Sequence, residues 1–237
     1  MRQQLDVLCA GAVKGLVQAL RERFAADTGA DLHARFGAVG AMCDAMRAGE
    51  PCDVLIVTDA IVGALEGSAE LRAGSRSPIG VVRTGIAVRT GAPRPDISTS
   101  AVLKACLLAA EALYFPDSTR STAGAHFASV LANLGICDAV AARCRMFDSG
   151  ATAMRELAAS NSVGAIGCTQ VTEIMYTPGI DLVGVLPAGF ELATLYSAAI
   201  TARAVEGGLA RSFITLLSGP QSAALRMAGG FDPAAGS

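Results

Sequence analysis

Two long extended runs, Ile79 to Arg89 and Leu192 to Ala202, constrain this chain more than any other feature. Each outruns an ordinary strand of about 5–6 residues. Between them lies a segment of about 100 residues, a normal size for a compact domain. A chain that leaves one lobe along the first run and returns along the second builds two lobes, residues 1–83 with 193–237 and residues 84–192. Around these runs, strand-like and helical patterns alternate. Leu5 to Cys9 leads into a helix from Val13 to Asp27 with Leu16, Leu20 and Phe24 on one face, ended by Thr28-Gly29. Asp31 to Phe36 reads as a half-exposed strand, Ala38 to Ala48 as a helix, and Val54 to Val57 as a central parallel strand.

The middle segment continues in the same way. Ser98 to Ala110 reads as a helix with Ser98 as its N-cap, after a turn at Pro93-Arg94-Pro95-Asp96. Ala112 to Phe115, Arg143 to Phe147, Val163 to Cys168 and Ile180 to Val185 read as strands, with helices at Thr122 to Leu134 and Ala151 to Ala159. Helices Val205 to Leu217 and Pro220 to Ala228 close the chain. The order predicts an α/β protein with mixed, mainly parallel sheets covered by helices on both faces.

Composition removes several classes of function. Net charge is −2 and no Lys/Arg cluster stands out, so a nucleic-acid partner has no electrostatic basis. The apolar run Val102 to Leu113 is broken by Lys104 and Glu111 and falls short of the roughly 20 residues a membrane span needs, so no membrane insertion is expected. Seven scattered cysteines with no CxxC pair suit neither a disulfide framework nor a zinc site, and no metal or cofactor is expected. Asp6 stands where an export signal would be apolar, and Leu8 precedes Cys9 where a lipoprotein signal has a small residue. The expected compartment is the cytoplasm, or the periplasm if an export signal has been trimmed.

Several short motifs recur in a telling order. They are Phe36-Gly37-Ala38-Val39-Gly40, Gly49-Glu50-Pro51-Cys52-Asp53-Val54, Phe115-Pro116-Asp117, Gly135-Ile136-Cys137-Asp138, Leu186-Pro187-Ala188 and Gly229-Gly230-Phe231. With the first strand and helix, they resemble the type II periplasmic binding-protein superfamily, in its molybdate-binding branch. Arg89 to Ile97 and Ser121 to Phe127 resemble divergent relatives in that wider group, which includes an aconitate isomerase. The resemblance implies two lobes that close by hinge motion on a small anion held by helix N-termini.

The chain departs from that pattern where molybdate binders use hydroxyls. The matching positions are Ala12, Val39 and about Gly167. A desolvated tetrahedral oxyanion needs a full shell of donors, each unmet bond costing about 1–3 kcal/mol. Molybdate is therefore not the expected ligand. Anion-receptor candidates are Gly11, Ala12 and Lys14 after the first strand, and Ala38 and Val39 after the second. Ser118, Thr119, Arg120, Ser121 and Thr122 form a hydroxyl-rich third turn, and Arg83 and Thr84 lie on the first long run. Arg120 suits bidentate pairing with a carboxylate, and Ala12 and Val39 would face a carbon skeleton. Thr58 ends a central strand, and Thr152 and Gln170 enter only through the resemblance.

Each candidate has a plainer reading. Arg120 and Lys14 can be solvated surface residues, Arg83 can extend from a sheet edge, and the hydroxyls of Ser118, Ser121 and Thr122 can merely cap a helix. His126, Asp59 and Cys9 are the candidate bases, with a structural histidine, a helix cap and a buried thiol as their alternatives; His33 is expected to be exposed. Two functions follow. One is a solute-binding or sensing protein for a small organic anion, preferably a carboxylate. The other is a cytoplasmic isomerase that shifts a proton in an unsaturated di- or tricarboxylate.

Overall fold

The computed structural model describes residues 3–233. Its elements begin with β1 (Gln4–Ala10), a 3-10 turn (Gly11–Val13), α1 (Lys14–Thr28), β2 (Asp31–Gly37), α2 (Val39–Arg47), β3 (Val54–Thr58) and α3 (Asp59–Gly67). Next come β4 (Ser77–Arg89), α4 (Ser100–Ala109), β5 (Leu113–Pro116), α5 (Thr122–Asn133), α6 (Cys137–Val140), β6 (Cys144–Phe147) and α7 (Gly150–Ala159). The chain finishes with β7 (Ile166–Gln170), α8 (Val171–Met175), β8 (Ile180–Val185), β9 (Ala193–Ile200), α9 (Gly207–Ser218) and α10 (Ala223–Ala228). Two units emerge: residues up to Val82 with those from Thr194 onward, and Arg83–Ala193.

In the first unit β1 pairs in parallel with β2 on one side and β3 on the other, and β9 runs antiparallel beside β3. The register sets Ala10 beside Gly37 and Cys9 beside Ile56, so three strands end together. Val54 to Val57 is wholly buried, as an apolar run covered on both faces must be. Helix α1 turns Leu16, Val17, Leu20 and Phe24 inward, and Phe24 meets Phe213 of α9 edge to face at 5.2 Å between ring centres. Gly29 stops α1 in the left-handed conformation, its amide returning to the Ala25 carbonyl.

The second unit has its own sheet. β5 lies between β7 and β6, parallel to both, while β4 runs antiparallel to β7 and β8. Neighbouring residues of β4 serve opposite faces: Ile86 packs with Leu103, Leu107, Phe115 and Phe127, and Ala87 with Met154, Leu157 and Ile174. Phe115 and Phe127 meet edge to face at 5.1 Å, which locks α5 to β5. Among the described residues no single helix is long and apolar enough to cross a membrane.

The structure revises some local expectations. Thr99, not Ser98, caps α4, because the Asp96 carboxylate takes the Ser98 amide at 2.8 Å and Thr99 Oγ1 accepts from the Val102 amide at 3.3 Å. The strand expected at Val163 to Cys168 lies at Ile166–Gln170: Gly164 is spent on a turn contact with the Glu111 amide, whereas Thr169 and Gln170 pair with Gly85 and Thr84. Helices α6 and α8 were not foreseen, and α3 entered only through the helix-cap reading of Asp59, which lies in its first turn with Thr58 before it.

Candidate functional site

Three helices of the first unit start where parallel strands end, and none has a side-chain cap. Ala10 precedes Gly11–Val13, Ala38 precedes α2 and Thr58 precedes α3. Helix starts that lack a capping side chain are elements of an anion receptor. Around them the surface is apolar and mostly buried: Gly11, Ala12 and Val13 are buried, Ala38 and Val39 nearly so. Lys14 lies over the Phe36 ring, 5.7 Å from its centre, a cation–π placement that keeps a positive charge beside the first two starts.

Two candidate bases of this unit lose that role. Cys9 is fully buried, its thiol donates to the Ala10 carbonyl at 3.2 Å, and burial pushes its pKa well above the ordinary thiol value. It stays protonated and packs. Asp59 accepts from Arg76 Nε at 2.7 Å and from Ser197 Oγ at 2.6 Å, and its other oxygen pairs with the same guanidinium. The Arg76 hydrogen bond, with help from Ser197, holds the Asp59 carboxyl below the usual range, which makes it a poor base near neutrality. Neither Arg76 nor Ser197 stood out in the sequence, because no spacing ties them to Asp59.

In the second unit the Ser118 to Thr122 turn is built around Asp117. Its carboxylate accepts from the Thr119 amide at 2.7 Å, the Thr119 hydroxyl at 2.6 Å and the Arg120 amide at 3.1 Å. Ser121 Oγ accepts from the Gly124 amide at 3.4 Å and so caps α5. Two of the four hydroxyls are thus used locally, and Ser118 offers only a 4.0 Å approach to the Met146 sulfur. Arg120 and Arg83 are exposed, while Thr122 is half-buried. Gly124 is indispensable: a Cβ there would lie 2.3 Å from the carbonyl oxygens of both Pro116 and Asp117. His126, half-buried on α5, has Nε2 2.8 Å from the Phe190 carbonyl oxygen. Carbonyls only accept, so Nε2 carries the proton and Nδ1 is the acceptor of the neutral ring.

A second serine, Ser149, caps α7 by accepting from the Thr152 amide at 3.2 Å. Thr152 is spent in that turn, bonded to Ser149 Oγ at 3.0 Å and to the Arg155 guanidinium at 3.1 Å. Beneath it lies an unforeseen carboxylate. Glu173 is 5% exposed and accepts from Thr169 Oγ1 at 2.5 Å. A Cβ on Gly150 would fall 1.9 Å from Glu173 Oε2, so a buried acid side chain already abuts the start of α7. The only sequence signal was the i, i+4 spacing of Thr169 and Glu173 within a β-branched stretch. Gln170 is buried at the end of β7, and Gly167 faces α7, where a Cβ would meet the Met154 methyl at 2.6 Å.

Two other features do not compete. A concavity of about 800 Å³ on the first unit lies at the opposite, amino ends of its strands, near Asp6, Glu50, Asp53, Glu70 and Glu206. Three of these acids are engaged internally, Asp53 by the amides of Asp6, Val205 and Glu206, Glu70 by Arg47, and Glu50 by Arg35. His33 is exposed and bonded to Asp6 at 2.9 Å. Among the described residues no group of three His, Cys, Asp or Glu side chains could hold a metal ion.

Comparison with known proteins follows the geometry. A family model described as bacterial extracellular solute-binding protein matches residues 5–232. An aconitate isomerase of Pseudomonas sp. is 28% identical over 230 residues, covering 92% of this chain and 84% of that protein. The periplasmic molybdate-binding protein of Azotobacter vinelandii superposes with a TM-score of 0.80 at 20% identity, covering 97% of this chain and 99% of the other. The sulfate-binding protein of Mycobacterium tuberculosis gives 0.73 at 16% identity, covering 99% and 88%. The fold is that of the periplasmic binding proteins.

Proposed function

Because the chain belongs to the bacterial extracellular solute-binding protein family, we propose that it binds a small organic anion, a carboxylate rather than molybdate, through its helix-start amides. One observation carries this reading. The three strand-end helix starts of the first unit offer backbone donors with no side-chain cap, beside Ala12, Ala38 and Val39 where an oxyanion shell would want hydroxyls. Such a surface suits a ligand with one charged end and a carbon skeleton. Taken by itself, the second unit carries two exposed guanidiniums, Arg120 and Arg83, of the kind that pairs with a carboxylate.

A thermal-shift screen against di- and tricarboxylates, with molybdate as control, tests it. Carboxylates should raise Tm and molybdate should not. Arg120→Ala and Arg83→Ala should each weaken the stabilising ligand by more than about tenfold, or about 1.4 kcal/mol. Stabilisation by micromolar molybdate, or unchanged affinity in both variants, overturns the reading.

A second reading, isomerisation of an unsaturated di- or tricarboxylate, draws support from the relative named aconitate isomerase. His126, with Nδ1 as acceptor, is the remaining candidate base. It would take an allylic proton and return it at the other end of the three-carbon unit. Proton NMR in heavy water on each stabilising ligand decides between binding and turnover: exchange of allylic or vinylic hydrogens, lost in His126→Ala, identifies the isomerase. We also place the chain in a reducing, cytoplasmic compartment, on the strength of its seven unbridged thiols. Cell fractionation tests that assignment.

A further inference from the structure

The sheet of the first unit ends in an edge that lacks the usual protection. Strand β2 stands last in the strand order, and among the described residues only β1 pairs with it. In a parallel ladder each residue turns both backbone groups to one side, and its neighbours turn theirs to the other. The Asp31 amide donates to the Gln3 carbonyl at 2.9 Å, so Asp31, His33 and Arg35 serve β1. The N–H and C=O groups of Leu32, Ala34 and Phe36 therefore point out along the open edge. Such a row is a template for another strand, and chains commonly blunt it with proline, lysine, a bulge or a very short edge. β2 has none of these. It is seven residues long, contains neither Pro nor Lys, and keeps unbroken register with β1 from Asp31 to Gly37.

The side chains indicate which strand fits. Asp31, His33 and Arg35 are exposed and project from one face, while Leu32 is buried on the other. Outward backbone groups of two antiparallel copies meet only when even-numbered residues face even-numbered ones, which leaves few registers. With His33 opposite His33 of the second copy, Leu32 exchanges both backbone bonds with Ala34 of that copy, and Asp31 stands opposite its Arg35. Two-fold symmetry repeats every contact, so an opposite-charge pair flanks His33 on either side. Sliding the second strand by two residues sets Asp31 against Gly37 or His33 and loses both pairs. Arg35 meets Glu50 through Nη1 alone. Its Nε and Nη2 groups remain for a second carboxylate. The strand is thus complementary in charge to a reversed copy of itself.

We propose that β2 is a self-association edge, on which a second copy of this chain lays its own β2 antiparallel, Asp31 against Arg35, to form a two-fold dimer. Sedimentation velocity on the full chain over a series of protein concentrations tests it. The wild type should pass from monomer to dimer as concentration rises. Asp31→Arg and Arg35→Asp each set like charges face to face and should weaken dimerisation by about tenfold or more. An equimolar mixture of these two variants restores opposite charges at both pairs and should dimerise about as well as the wild type. No general loss of folding can produce that rescue. Ala34→Pro removes an outward amide that bonds nothing in its own chain, and edge strands admit proline at such a position. It should abolish the dimer and keep Tm close to the wild-type value. A wild-type chain that stays monomeric at every concentration overturns the proposal. So does a dimer of unchanged affinity in Ala34→Pro, or a pair of charge variants that fails to associate on mixing.

Discussion

Apart from α8, which starts uncapped after Gln170, the two units treat the helix starts at their parallel strand ends in opposite ways. Each has helices springing from the carboxyl ends of parallel strands. In the first, the residues before the helices are Ala10, Ala38 and Thr58, none of which caps with its side chain. In the second, Ser121 and Ser149 cap α5 and α7, and a glycine just inside each helix lets it press on neighbouring oxygens. The first unit thus starts these helices without spending the side chain of the preceding residue on a cap. The second spends side chains on its own turns, with Glu173 against α7 and Asp117 inside the α5 turn. A junction that satisfies itself is rigid and less hungry for a ligand; one that does not is the better receptor.

The largest expected effect comes from the glycines. Gly124→Ala sets a methyl 2.3 Å from two backbone oxygens, which cannot yield without moving α5 off β5. The loss should be about 3 kcal/mol or more, above the usual overpacking range because backbone is the obstacle. In the first unit Gly37→Ala meets only the end of the Met42 side chain, at 2.7 Å. A flexible thioether moves aside, so the cost should stay below about 1 kcal/mol. Urea midpoints of the two variants measure the contrast, and equal losses would erase the distinction between crowded and open junctions.

Caps come next in size. Ser121→Ala and Ser149→Ala should each cost about 1 kcal/mol. Ala38→Ser should do the reverse, adding a cap where none exists and raising stability by about 0.5–1 kcal/mol. If the amides of α2 serve the ligand, the same change should lower the affinity of whichever anion the thermal-shift screen identifies. Stability and affinity moving together in Ala38→Ser would mean that those amides do no binding.

Much of this architecture was legible, for reasons that differ by element. β3 announced itself because a buried strand needs an unbroken apolar or β-branched run, β4 by the length of its extended pattern, and α5 because Phe127, Val130, Leu131 and Leu134 keep helical spacing. Helix α8 was illegible: Val171, Thr172 and Ile174 are β-branched, and five residues carry no period. Of helix α3 only the start at Asp59 was readable, because Gly63 and Gly67 weaken its helical pattern. At the site, strand ends and turn hydroxyls were readable as positions but not as bonding states. Asp59 looked like a base until Arg76 and Ser197, distant in sequence, were found on it. Glu173 was missed because a single acid in a β-branched stretch resembles surface until its burial is known.

The smallest effect concerns acid, and it too separates the units. Asp59 and Asp117 both have folded pKa values below the ordinary carboxylate value, the first chiefly through Arg76 and the second through the Thr119 hydroxyl and amide. A carboxyl depressed in the folded state contributes stability that is complete above its unfolded value of about 3.9 and is lost as pH falls through the folded value. Asp59→Asn should therefore lower Tm at neutral pH and converge with the wild type as the medium is taken well below pH 4. Asp117→Asn should follow the same course with a smaller neutral-pH loss, because Asp117 sits on an exposed turn with amide and hydroxyl partners rather than a guanidinium and a buried serine. Tm measured between about pH 2.5 and 7 for both variants tests the ranking. A larger loss for Asp117→Asn would place the more strongly held carboxylate in the second unit and reverse the comparison.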